Sequence, residues 1–169
     1  MATIAHQSAR VNSLAPNTYE RVLSVGAVIL LIAVATALYK GRSHWSSVPS
    51  NIWAHLITIL IAVALTPFML LRQRGTTSHR QLGWVWASGM VLTALASLLV
   101  RNANHGGFSI IHMLSIWTLF QVPLIIWSAR THNLTRHRRS VHAMVTGALL
   151  IAGFFTFPFD RLLGHWLFS

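Results

Sequence analysis

Ser78-His79-Arg80-Gln81-Leu82-Gly83 leads directly into the run Leu82–Val100, 19 residues without an ionisable side chain. A run of that length and polarity crosses the hydrocarbon core of a bilayer as one helix, and 10–14 apolar residues would not. Backbone groups in lipid have no water to bond, so a lone apolar segment satisfies them internally as a helix. A cationic turn carrying a histidine, followed by a spanning run, is the unit from which the rest of the chain is read.

Working outward, four more runs have spanning length: Val22–Tyr39, Ile52–Leu71, Phe108–Trp127 and Val141–Phe159. The expected architecture is an all-α membrane bundle of five helices, forming one domain over residues 22–169 behind a polar tail at 1–21. The linkers Lys40–Asn51, Arg72–Gln81, Arg101–Gly107 and Ser128–Ser140 are short, which makes consecutive helices antiparallel neighbours. No A-x-A-like site closes the first run, so it reads as a retained span and not a signal peptide. Pro67 and Pro123 fall near the ends of their runs, where a local bend is expected.

Tryptophan and arginine placement refines this picture. Trp45, Trp53, Trp84, Trp86, Trp127 and Trp166 sit at the ends of runs, the level of the aromatic belts. Nine of the 13 basic residues fall on the side holding the N-terminus and the linkers 72–81 and 128–140, against four on the other. The positive-inside rule then places the N-terminus in the cytoplasm and the C-terminus outside, in a bacterial inner membrane.

Composition removes whole classes of chemistry. The chain has 54% hydrophobic and 9% charged residues, two carboxylates (Glu20 and Asp160) and no cysteine. Paired-carboxylate hydrolysis, a Ser-His-Asp triad, an acidic proton relay and thiolate-held clusters all lack their residues. The formal charge of +11 does not indicate nucleic acid, because the basic residues lie in short turns and form no basic face with interleaved aromatics. The Arg136-His137-Arg138-Arg139 cluster reads as an anchor on anionic head groups.

What remains is imidazole chemistry. His55 and His112 begin the second and fourth runs and share one leaflet; His79 and either His142 or His137 share the other. His55, Thr58, Ala62 and Thr66 follow one helical face, as do His142, Thr146, Leu149, Gly153 and Thr156, and such small, weakly polar stripes face neighbouring helices. Histidines paired from two helices suit axial ligation of haem iron. Arg80, Arg138 and Arg139 would meet propionates on the cytoplasmic side and Arg101 on the other. The placement is similar to that of the ascorbate-reducible di-haem cytochrome b family, an analogy of position alone.

The chain is expected to be a small membrane electron-transfer protein of b-type cytochrome character, with haem b as cofactor and quinone as a candidate partner. The rival expectation is a non-catalytic subunit packed against a larger respiratory or photosynthetic complex. A transporter is a weaker third, because the runs carry no embedded charge and no inverted repeat.

A further resemblance rests on His79-Arg80-Gln81-Leu82-Gly83, on His112 with Ser115-Ile116-Trp117-Thr118-Leu119, and on His137-Arg138-Arg139. Gly153-Phe154-Phe155-Thr156 and Arg161-Leu162-Leu163 complete it. Over Pro67–Trp86 and Gly107–Phe168 the chain resembles an uncharacterised family of bacterial integral membrane proteins. The resemblance implies a multi-span helical protein without an assigned activity. It marks His137 as the histidine of the last run, where helical phase marks His142.

Overall fold

The computed structural model describes residues 14–99, 110–159 and 161–169, and Val100, Arg101, Phe108 and Asp160 lie outside them. Every regular element among the described residues is helical. Helix α1 spans Thr18–Lys40 and continues as a 3-10 segment, Gly41–Ser47. Then come α2 (Ser50–Leu71), α3 (Thr77–Leu99) and α4 (Ile110–Arg130). Helix α5 has three parts: an α-helical start at Leu134–Met144, a π-helical centre at Val145–Ile151, and a closing turn at Ala152–Phe154. A short helix, α6, spans Leu162–Phe168.

Four of these helices are long and apolar enough to cross a membrane: Thr18–Ser47, Ser50–Leu71, Thr77–Leu99 and Ile111–Arg130. Their outer faces carry large apolar side chains such as Ile29, Ile32, Phe68, Leu92 and Phe120, all exposed, as expected where lipid is the solvent. Each of α1 to α4 packs on the next in sequence, α1 also meets the π segment of α5, which closes the ring, and α6 packs on α1. Pro67 and Pro123 lie inside α2 and α4.

The fifth element departs from the expected run Val141–Phe159. It starts at Leu134 and ends at Phe154. Asn133 explains the early start: its side chain accepts the backbone N–H of Arg136, an N-cap eight residues upstream of the apolar run. Helix α1 also starts early, at Thr18, so Thr18–Arg21 is helix and not tail.

Two of the tryptophans at the ends of runs are buried within the bundle. Trp86, 2% exposed, donates its indole N–H to the Thr66 hydroxyl at 3.0 Å and ties α3 to α2. Trp84 is two positions away, roughly 200° around the helix, and stays exposed under the guanidinium of Arg130. Trp166 of α6 is buried across the end of α1, where Gly41 leaves room for its ring. A Cβ at Gly41 would lie 2.1 Å from that ring.

Candidate functional site

The bundle has a polar cluster at one end and a cavity toward the other. The polar end is organised by Glu20, which is fully buried. Asn17 and Glu20 form a capping box: Asn17 Oδ1 accepts the Glu20 N–H at 2.9 Å, and Glu20 Oε2 accepts the Asn17 N–H at 2.9 Å. This geometry turns the carboxylate back over the first turn of α1, where the helix dipole also favours negative charge. Three basic side chains then meet it. Arg74 bonds Oε1 from the loop between α2 and α3, Arg138 Nε donates to Oε1 at 3.0 Å, and His142 Nε2 lies 2.9 Å from Oε1.

The same arginines hold the chain ahead of α1. Arg74 donates to the Leu14 carbonyl and Arg138 to the Ala15 carbonyl at 2.6 Å. Tyr19 adds a hydroxyl contact to Thr146 at 2.8 Å and an edge-on contact to the His142 ring. Glu20 is the sole carboxylate among the described residues, and it joins three distant segments.

His79 and His137 lie beside this cluster, with ring centroids 6.4 Å apart and planes 75° apart. His137 Nδ1 contacts the Ile125 carbonyl at 3.1 Å. Burial pushes His137 below the ordinary imidazole range and Arg74 adds to that, while the Ile125 carbonyl and Glu20 oppose it. Arg80 is exposed and is not among Glu20's partners.

The cavity, about 180 Å³, is lined by residues of all six helices. Its walls are mostly aliphatic, from Leu30, Leu56, Val63 and Met90 to Ala148, Leu149 and Leu163. The widened π-helical turn contributes Ala148 and Leu149, a departure from α geometry of the sort that recurs at functional sites. Polar groups gather on one wall. His55 Nδ1 lies 2.8 Å from the Ser97 hydroxyl and 3.4 Å from the Thr93 carbonyl.

The hydroxyls of Thr58, Thr66, Ser115 and Thr118 bond back to carbonyls of their own helices, as hydroxyls in apolar helices usually do. Thr93 is the exception. It is 7% exposed and its hydroxyl oxygen is buried with no partner among the described residues, which costs free energy unless something else supplies one. No protein-family model, curated protein or solved structure matches the chain, so function is read from this geometry alone.

The histidines expected as haem ligands lie in different surroundings. His55 lines the cavity, whereas His112, buried in the first turns of α4, is not part of that lining. His142 directs its Nε2 at Glu20. A cavity of about 180 Å³ is also below the roughly 300–1,000 Å³ typical of cofactor-sized sites. Of the inner combinations, His79 stands next to His137, and His142 serves the carboxylate.

Sequence reasoning passed over two of the residues that matter most. Glu20 was read as part of a polar tail, although Asn17-x-x-Glu20 ahead of an apolar run is a capping-box signature. Thr93 carried no signal, since a threonine inside an apolar run nearly always bonds to its own helix.

Proposed function

We propose that the protein is a five-span protein of a bacterial inner membrane, N-terminus in the cytoplasm, that binds a small lipophilic carbonyl compound within its bundle. The class that fits best is the head group of a monocyclic quinone. The fifth span is the run Val141–Phe159, which α5 enters from its polar first turns, and the nine-to-four distribution of basic residues supports the orientation.

One observation carries the ligand assignment: the unpartnered Thr93 hydroxyl on the wall of an apolar cavity. A dry cavity of about 150 Å³ accepts a benzene ring, so about 180 Å³ accepts one substituted ring and little more. Thr93 donates to a ring carbonyl. Where the Ser97 hydroxyl donates to His55 Nδ1, the Nε2 position carries the second N–H of the wall.

Titration of the purified protein with a short-chain benzoquinone, followed by tryptophan fluorescence, tests the reading. Saturable binding that weakens roughly three- to tenfold in Thr93→Val, the worth of one hydrogen bond, supports it. Equal binding by both proteins, or none by either, overturns it.

A second reading, a b-type cytochrome, draws on the inner histidine pair. Two metal–nitrogen bonds of about 2 Å and two ring radii span roughly the 6.4 Å between the centroids. The Ile125 carbonyl on His137 Nδ1 resembles the outer hydrogen bond that orients ligating histidines. A reduced-minus-oxidised spectrum of the protein as purified from membranes decides it: a haem band lost in His79→Ala supports it, and no band rejects it.

A further inference from the structure

The Arg136-His137-Arg138-Arg139 cluster does not act as one patch. Helical phase divides it. Arg138 turns inward to Glu20 and Ala15, and His137 turns inward to His79 and the Ile125 carbonyl. Arg136 and Arg139 are exposed and line a groove between α4 and α5, about 590 Å³ in volume. Gln121, Asn133, Thr135 and Ser140 complete its polar part, and Leu124 and Ala143 are its apolar lining.

We infer that this groove is a binding site for an anionic phospholipid, with the phosphate between Arg136 and Arg139 and an acyl chain along Leu124 and Ala143. Three observations support it. Among the described residues no carboxylate lines the groove, so the two guanidiniums have no counter-charge from them there. The Arg136 guanidinium lies 4.9 Å over the ring of Trp127, an exposed tryptophan at the end of α4, which sets the arginines at head-group depth. The charged lining lies at the head-group end, and farther in the groove is lined by Leu124, Ala143 and the uncharged Gln121, so charge falls away along it as it does along a phospholipid. Guanidinium matches phosphate in a fork geometry that a surface lysine lacks.

The site is independent of the cavity ligand and rests on the membrane reading of the fold. Its test uses the full chain in neutral detergent, with native mass spectrometry counting bound phosphatidylglycerol against phosphatidylcholine. The wild type is expected to retain one phosphatidylglycerol with roughly thirtyfold preference, as two interfacial arginines at about 1 kcal/mol each imply. Arg136→Gln with Arg139→Gln should abolish the preference, and Arg72→Gln, an exposed arginine elsewhere on the same end, should keep it. Ala143→Phe, which obstructs the acyl path and leaves the charge intact, should also abolish it. Retained preference in either groove variant overturns the site, and so does equal loss in Arg72→Gln. Displacement of the lipid by millimolar inorganic phosphate would identify the ligand as free phosphate and overturn the lipid assignment.

Discussion

Glu20 Oε1 and His142 Nε2 lie 2.9 Å apart across 122 residues of sequence. That contact, with those of Arg74 and Arg138, joins the start of α1 to the α2–α3 loop and to α5 at a point sealed from solvent. A buried charge group of this kind contributes less to net stability than its Coulomb attraction suggests, because desolvation offsets most of the gain. Removing one partner is another matter, since it strands the others.

Glu20→Gln should therefore be among the most damaging single changes in the chain. It leaves Arg74 with its neighbours Arg138 and His142 and no anion, at a cost of about 3–5 kcal/mol. Arg21→Gln, next in sequence but exposed, should change stability by less than about 0.5 kcal/mol. Thermal unfolding in mild detergent compares the two. Equal midpoints would show that the cluster is not a structural centre.

The pH dependence should follow from His137, four residues ahead of the apolar run that begins at Val141. Burial lowers its pKa in the folded protein, so the folded state holds the proton less tightly than the unfolded chain does. The resulting stability is complete above the unfolded histidine pKa of about 6.5 and is lost as pH falls through the lower, folded value. Arg74, Glu20 and His79 all face this region, so the effect has to be isolated by difference. His137→Gln should flatten the decline of the unfolding midpoint below about pH 6.5. An unchanged slope would assign the decline to other groups.

At the other end, Gly164 is set against the backbone of Phe157. A Cβ at position 164 would lie 1.7 Å from the Phe157 carbonyl oxygen, a contact that no rotamer relieves. Gly164→Ala should displace α6, at a cost of about 1–3 kcal/mol. Trp166, now 3% exposed, would come out of the core with it. Increased acrylamide quenching and a red-shifted emission report the change. Because Leu163 of α6 lines the cavity, ligand binding should weaken in the same variant.

How much of this was legible in the sequence depends on range. The apolar runs predict where helices lie, because lipid solvation acts on each segment by itself; α2 and α3 run within a few residues of expectation. Features set by neighbours are another matter. Trp84 and Trp86 look alike in a hydropathy pattern, yet only Trp86 finds Thr66 on α2. His142 lies on the face that helical phase assigns to the interior, but its partner is a carboxylate at the far end of the sequence. The π-helical centre of α5 and the short helix α6 left no mark in composition, since both depend on packing against α1.

The cavity reading yields the sharpest test, because filling and breaking have opposite signatures. Ala94, 3% exposed, lines the cavity on α3 one position after Thr93. Ala94→Leu places three more carbons in space the ligand would occupy, without touching the Thr93 hydroxyl or the His55–Ser97 pair. Filling an empty apolar space contributes up to about 1 kcal/mol per methylene, less whatever strain the new side chain meets. The unfolding midpoint should therefore hold or rise while affinity for the benzoquinone falls at least tenfold. A lower midpoint with unchanged affinity would mean that residue 94 packs against helix, not space, and that the ligand sits elsewhere. Thr93→Val provides the complement: it removes an unsatisfied buried hydroxyl, so the ligand-free protein should be stabilised, by about 1 kcal/mol, even as binding weakens. A hydroxyl retained for stability would give the reverse sign in the ligand-free protein, which separates a binding group from a structural one in a single measurement.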